Sequence, residues 1–217
     1  TQSAFVPGRM ITDNILVAYE WFHKINNKRE GKEGLCVIKL NMHKAYDRVE
    51  WVSLKEIMLK LGFKQSWVNF IMQCVSTVEY QVTFNTEETE SFEPSRGLRQ
   101  GDPLSPYSFL LCIELTALLS HADETGKIQG VKVCREAPSI MNLLFADDSL
   151  ILMKANIHTV EALKAILDSY CTASGQMVSV EKSSIFFSPN TRVDIREQIC
   201  TTPSIMTEAL DDKYLGL

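Results

Sequence analysis

No two cysteines in this chain stand close enough to form a ligand pair, and no stretch stays apolar long enough to cross a bilayer. Cys36, Cys74, Cys112, Cys134, Cys171 and Cys200 are scattered mostly among apolar neighbours. His23, His43, His121 and His158 are equally dispersed, which excludes a structural zinc site. Reduced thiols of this kind suit a nuclear or cytoplasmic protein. The longest apolar stretches, Phe109–Leu119 and Leu143–Met153, are interrupted by Glu114 and by Asp147 and Asp148, well short of the ~18–20 residues of a membrane span. No signal-peptide pattern opens the chain, so no membrane partner is expected. Positive charge is also scarce: 22 Lys and Arg against 27 Asp and Glu leave a net charge of -5, unlike the basic coat of a typical nucleic-acid binder. With 10 Gly and 7 Pro in 217 residues, and no repeat or low-complexity tract, collagen-like and disordered chains are excluded.

What is present is an ordinary globular composition, 45% hydrophobic, in a chain long enough to bury about 70% of its unfolded surface. Ile11, Ile15, Tyr19, Phe22 and Ile25 recur at helical spacing and predict a helix over 12–26, with Thr12 or Asp13 near its cap. Leu35–Met42 alternates as a strand, with Cys36, Ile38, Leu40 and Met42 on one face and Leu35, Val37, Lys39 and Asn41 on the other. Asp47-Arg-Val-Glu50 matches a capping box ahead of Leu54, Ile57, Met58 and Leu61. A second helix is predicted over 66–77, a strand over 78–84 and a short one near Phe92. Ser105-Pro106 opens a long apolar helix that Gly126 closes. Strands follow at 128–133, 140–145 and 149–153, then a helix through Val160, Leu163, Leu167 and Tyr170, then strands at 184–187 and 214–217. The order predicts one mixed α+β domain with mostly antiparallel pairing. The absence of an initial Met and the stop at Tyr214-Leu-Gly-Leu217, inside an expected strand, read as a piece of something longer.

Two adjacent aspartates, Asp147 and Asp148, interrupt the apolar run Leu143–Met153. Buried unpaired carboxylates are expensive, so they occupy either an exposed turn or a cation site. Phe145 and Ala146 lead into them without the Gly or Asn that tight turns favour. Paired carboxylates at a strand tip are hard oxygen ligands suited to Mg²⁺, and a two-metal site activates an attacking hydroxyl and stabilises a leaving phosphate. The second feature, Arg96-Gly-Leu-Arg-Gln-Gly-Asp-Pro-Leu-Ser-Pro106, places two cations, a Gln and a permissive Gly just before a helix. The third, Lys39–Trp51, is a strand end running into a helix start.

These segments occur in one order with Gln2-Ser-Ala-Phe-Val-Pro-Gly-Arg9, Thr12-Asp-Asn-Ile15, Ala173-Ser-Gly-Gln176, Lys182-Ser183 and Tyr214-Leu-Gly-Leu217. Together they resemble the reverse transcriptases of non-LTR (LINE-type) retrotransposons, the plant type in particular. Lys44–Trp51 resembles the end of motif A, Gly97–Pro106 motif B, Phe145–Asp148 motif C and Ala173–Ser183 motif D. The resemblance implies a right-hand polymerase palm with partial fingers over 1–217, ending at the start of motif E and the thumb. The remaining fingers, the thumb and flanking domains would belong to a longer polyprotein. The implied activity is RNA-directed DNA synthesis from an RNA template, a DNA primer and deoxynucleoside triphosphates, with two Mg²⁺ ions or Mn²⁺ in their place. Asp147 and Asp148 would hold the metals, assisted by the backbone carbonyl of Met42. Tyr46 would pack against the sugar, Gln100 and Gly101 would lie against the incoming nucleotide and its template base, and Phe145 would stand beside the substrate. Lys182 would protonate the departing pyrophosphate. An unrelated palm enzyme such as a nucleotidyl cyclase has no use for the Gln100-Gly101 or Gly175–Lys182 segments.

One position departs from the family. Asn41 stands where motif A carries the aspartate that bridges both metals. One unit charge about 4 Å from another is worth ~4 kcal/mol at an effective dielectric near 20. Hydration offsets most of this, and a residual few kcal/mol still corresponds to on the order of 10²–10⁴ in rate. The expectation is an impaired polymerase, and the alternative is a catalytically dead remnant that keeps the fold and weak nucleic-acid binding. Asp47 is expected to cap a helix rather than hold metal, and Asp102 to be a loop residue. The basic character that remains is local: Lys24, Lys28, Arg29 and Lys32 in one segment, Arg96 and Arg99 in another.

Overall fold

The alternating segment at Leu35 becomes the centre of the molecule's main sheet. The structure is a computed structural model describing residues 2–113, 115–134, 136–201 and the backbone of 207–208. In chain order the elements are α1 (Ile11–Asn27), β1 (Leu35–Asn41), α2 (Trp51–Lys60), α3 (Gln65–Ser76), β2 (Thr83–Phe84), β3 (Glu87–Glu88), α4 (Ser105–Cys112) and α5 (Leu115–Glu124). They continue with β4 (Val131–Lys132), β5 (Ser139–Ile140), β6 (Asn142–Phe145), β7 (Asp148–Lys154), α6 (Ile157–Ser174), β8 (Ser184–Phe187), α7 (Val193–Thr201) and β9 (Thr207–Glu208). The strand expected at Tyr214–Leu217 lies outside the described residues.

The sheet runs β6-β7-β1-β8-β9. Its first four strands are antiparallel to their neighbours and β9 is parallel to β8, so the expected α+β class with an antiparallel sheet backed by helices holds. β1 is buried on both faces at Leu35, Cys36, Val37, Ile38 and Leu40, which requires cover on both sides. On one face Ala18, Trp21 and Ile25 of α1 pack with Leu35, Val37, Leu143, Leu150 and Leu152. Each large side chain buried there stabilises the fold by about 1.5–3 kcal/mol. The register, Leu35 opposite Lys154 through Asn41 opposite Asp148, carries this apolar face to a polar end.

Two compact units emerge, although no shift in composition marks a boundary. One gathers residues 1–43, 114–171 and 177–217, including the five-stranded sheet; the other gathers 44–113 and 172–176, including α2, α3 and α4.

Several expectations need correction. The buried stripe of α1 is Asn14, Ala18, Trp21 and Ile25, and Tyr19 is exposed. The stripe moves by one residue because Asn14, a polar group, fills a core position: it donates to the Leu144 carbonyl (2.9 Å) and accepts from Ser3 Oγ (2.8 Å). The capping box at Asp47 does not form, and the cap of α2 is Glu50. Residues 46–49 instead pair with 97–98, through Gly97 N–H to Val49 O (2.8 Å) and Leu98 N–H to Tyr46 O (2.9 Å), and this tertiary pairing displaces local capping. The long helix from Ser105 breaks at Ile113, ψ 74°, where the chain passes from one unit to the other. The strand expected over 78–84 shrinks to a bridge between Tyr80 and Phe92 plus the small β2–β3 hairpin. α7 had no expectation, since Ile199 is its one buried residue and so leaves almost no periodic signal.

Candidate active site

Asp147 and Asp148 sit at the tip of the β6–β7 hairpin. Phe145 pairs with Asp148, so the connection is the two-residue loop Ala146-Asp147. Ala146 carries φ +53°, the sign that the first central position of a type II′ turn demands and that a side chain resists. Neighbours hold it there. The Gln2 carboxamide accepts from Ala146 N–H (3.2 Å) and donates to Ala146 O (3.4 Å), while Ser3 N–H donates to Leu144 O (3.0 Å). Gln2 was legible only as part of a motif; its grip on the turn has no local signal. Removing the acceptor costs about 1 kcal/mol, so Gln2→Ala is expected to speed amide exchange at Ala146 roughly fivefold. Unchanged exchange in NMR would show that the turn holds itself.

Asp148 lies directly across the sheet from Asn41 on one side and Phe145 on the other. Cross-strand partners share a face, so these three side chains form one row. Asn41 Nδ2 donates to Asp148 Oδ1 at 2.9 Å. The backbone of Asn41 is held from the other edge: its N–H donates to Ser183 Oγ (3.2 Å) and its carbonyl accepts from Ser179 N–H (2.8 Å). His43 N–H donates to Met177 O (2.7 Å), closing the Met42–Val178 bridge. Because peptide groups alternate along a strand, Met42, bridged to Val178 on its other side, turns its own carbonyl toward the β7 side.

Lys182 ends the short turn Val180–Lys182, next to Ser183, and is exposed. Its charge reaches Asp147. Burial above all holds the Asp147 carboxyl higher than the ordinary carboxylate range. Its own backbone N–H pulls it down, the Asp148 charge pushes it further up, and Lys182 pulls it down. A carboxyl raised in the folded state stabilises the protein in acid, and that contribution is lost as pH rises through the folded value. Metal-free Asp147→Asn is therefore expected to melt above the parent at neutral pH. The advantage should vanish below about pH 4, near the unfolded Asp pKa. Melts in chelator at the two pH values check this, and a pH-independent difference would contradict it.

Tyr46, Gln100 and Gly101 belong to the second unit. The Tyr46 ring stacks on Phe109, centroids 4.5 Å apart at 21°. Gln100 and Gly101 are exposed, and Gly101 has φ +90°. Asp102 Oδ1 accepts from Leu104 N–H (2.7 Å) at the entrance to α4, the loop role expected of it. Trp51 Nε1 donates to Gly97 O (2.7 Å), Arg96 pairs with Glu50 (3.0 Å), and Gln176 Nε2 donates to Ala45 O (2.9 Å). Among the described residues no three His, Cys, Asp or Glu side chains gather as a metal cluster.

A sequence profile of the family described as reverse transcriptase (RNA-dependent DNA polymerase) matches residues 1–217. This chain belongs to the reverse transcriptase family. Related sequences agree with that placement. The 149 kDa protein of transposon TX1 from Xenopus laevis is 28% identical over 216 residues, 100% of this chain and 16% of that protein. A retrovirus-related Pol polyprotein from the type-1 retrotransposable element R2 of Popillia japonica is 28% identical over 181 residues, 83% of this chain and 24% of the polyprotein. A mitochondrial protein of Arabidopsis thaliana is 58% identical over 57 residues, 26% of this chain and 47% of that protein. This reverse transcriptase chain thus spans 16% to 47% of these relatives. Among solved structures, apo telomerase from Candida tropicalis aligns with TM-score 0.54 at 18% identity, over 85% of this chain and 36% of that one. Telomerase from Candida albicans in complex with a fragment of telomeric RNA aligns with TM-score 0.56 at 14% identity, over 81% and 30%. The fold is therefore the α+β polymerase palm. Among the described residues, no helix is long and apolar enough to cross a membrane.

Proposed function

We propose that this chain is the palm of an RNA-directed DNA polymerase of non-LTR retrotransposon type whose metal site is impaired at Asn41. The observation that carries the impairment is the hydrogen bond from Asn41 Nδ2 to Asp148 Oδ1 at 2.9 Å. Asp147, Asp148 and the Met42 carbonyl are hard oxygen donors that fit a Mg²⁺ or Mn²⁺ ion. Asn41 adds no charge and spends its NH₂ on one of those donors, so the set fits one divalent ion but not a bridged pair. When bound, such an ion supplies charge neutralisation at phosphate and a more acidic primer hydroxyl. The chain's own groups do the rest. The paired strands fix Asp148 and Asn41, Gln2 fixes the turn, and Lys182 offers a proton to pyrophosphate. By their places in the family's motifs, Tyr46, backed by Phe109, is assigned to the sugar, Gln100 and Gly101 to the nucleotide and template base, and Phe145 to the substrate. The partners are an RNA template, a DNA primer and deoxynucleoside triphosphates.

The test is primer extension on an RNA template with and without Mg²⁺, alongside crosslinking to the same primer–template. Crosslinking with slow, Mg²⁺-dependent extension is expected. Crosslinking without any extension favours the dead remnant, and the absence of both removes the polymerase reading.

A further inference from the structure

The end of the sheet remote from the aspartates carries a cluster of lysines. Leu35 and Lys154 pair there, six residues along β1 from Asn41, a separation of about 20 Å at strand rise. The last turn of α1, the loop after it, β4 and the end of β7 surround an open groove of about 730 Å³. Lys24, Lys28, Lys32, Lys132 and Lys154 line it, and Glu33 is the sole carboxylate in that lining. Lys154 pairs with Glu33 at 2.8 Å. Lys24 lies over the Trp21 ring and donates to the carbonyls of Lys132 and Val133. The Lys28 ammonium donates to the Glu30 carbonyl (3.2 Å). Among the described residues Lys28, Lys32 and Lys132 form no ion pair. Five lysines against one glutamate leave this groove strongly positive in a chain whose net charge is -5.

We propose that this groove binds the phosphate backbone of a nucleic-acid strand, without regard to base sequence, at a site separate from the aspartate hairpin. Crowded like charges attract a polyanion. Burial and the neighbouring Lys28 both lower the Lys24 pKa, a strain that a bound phosphate relieves. The lining holds no aromatic ring for base stacking and no Arg fork, so contact is by ammonium point charges on phosphate. Its apolar members, Leu35 and Val131, are buried. The groove therefore lacks the inserted apolar surface that stable membrane anchoring adds to charge, and the apolar centre of a protein interface.

The proposal is tested by labelling lysines with an amine-reactive reagent, with and without a 12-nucleotide oligo(U) RNA, and reading modification by mass spectrometry. Lys28, Lys32 and Lys132 are expected to be protected several-fold, while the exposed Lys55 and Lys60 of α2 are not. A Lys28→Gln, Lys32→Gln, Lys132→Gln variant should bind the oligonucleotide more weakly. The slope of its log affinity against log salt should fall by about 2, at ~0.7 for each single-strand phosphate contact. Uniform labelling, an unchanged slope, or binding to phosphatidylserine vesicles or an acidic peptide but not to RNA overturns the proposal. Lysine protection is read without any polymerisation, so this site and the polymerase reading fail separately.

Discussion

An Asn41→Asp variant is expected to extend a primer on an RNA template on the order of 10²–10⁴ faster than the parent in Mg²⁺. The register places the new carboxylate where the Asn41 amide now lies, opposite Asp148. It supplies the missing charge and an oxygen in place of the NH₂ that now bonds Asp148 at 2.9 Å. The same change has a cost without metal. A hydrogen bond to a charged group is worth about 1.5–3 kcal/mol, and its replacement by a like charge directly across the strand adds repulsion. A loss of about 2 kcal/mol corresponds to roughly 4–8 °C in Tm at this chain length. The metal-free variant should melt lower by that amount and recover on adding Mg²⁺, whereas the parent should respond less. Asn41→Ala, which removes the hydrogen bond without adding charge, should lose stability but gain no activity. Equal extension rates for the parent and Asn41→Asp would remove Asn41 as the cause of impairment.

The sheet and its polar tip were legible because their signals are local. Leu35–Asn41 alternates, Ser184–Phe187 is a short run of strand formers, and Asp147-Asp148 interrupts an apolar stretch that nothing else explains. What was not legible is carried by long-range contacts. Nothing near Asn14 announces that a polar side chain will fill the core face of α1, because its partners are Ser3 and Leu144. Nothing near Asp47 announces that its segment will pair with Gly97 and Leu98 rather than cap a helix. Ala146 adopts φ +53° without the Gly or Asn that turn rules ask for, since Gln2 stabilises the turn from 144 residues away. Local propensity fails here at the site carrying the candidate chemistry, where strained backbone is commonly held by surrounding structure.

Gly97→Ala is expected to destabilise the second unit by about 2–4 kcal/mol, from two causes that a paired variant can separate. The first is backbone strain. Gly97 holds φ +96°, where an L side chain costs about 1–2 kcal/mol. The second is steric. A Cβ at Gly97 would stand 3.0 Å from Asp47 O and 3.2 Å from Asp47 Cα, both backbone atoms that cannot rotate away. Yielding to it would pull apart Gly97 N–H to Val49 O and the Trp51 indole to Gly97 O, at 2.8 and 2.7 Å. Gly101 shares the first cause and lacks the second: its φ is +90°, and nothing lies within 4 Å of an added Cβ. Gly101→Ala should therefore lose only the strain, about 1–2 kcal/mol, and the excess at Gly97 measures the clash against Asp47. Urea unfolding of both variants followed by tryptophan fluorescence gives the comparison. Equal losses would mean that the 46–49 segment shifts at no cost. The pairing that displaces the capping box at Asp47 would then not be what fixes the loop bearing Gln100 and Gly101.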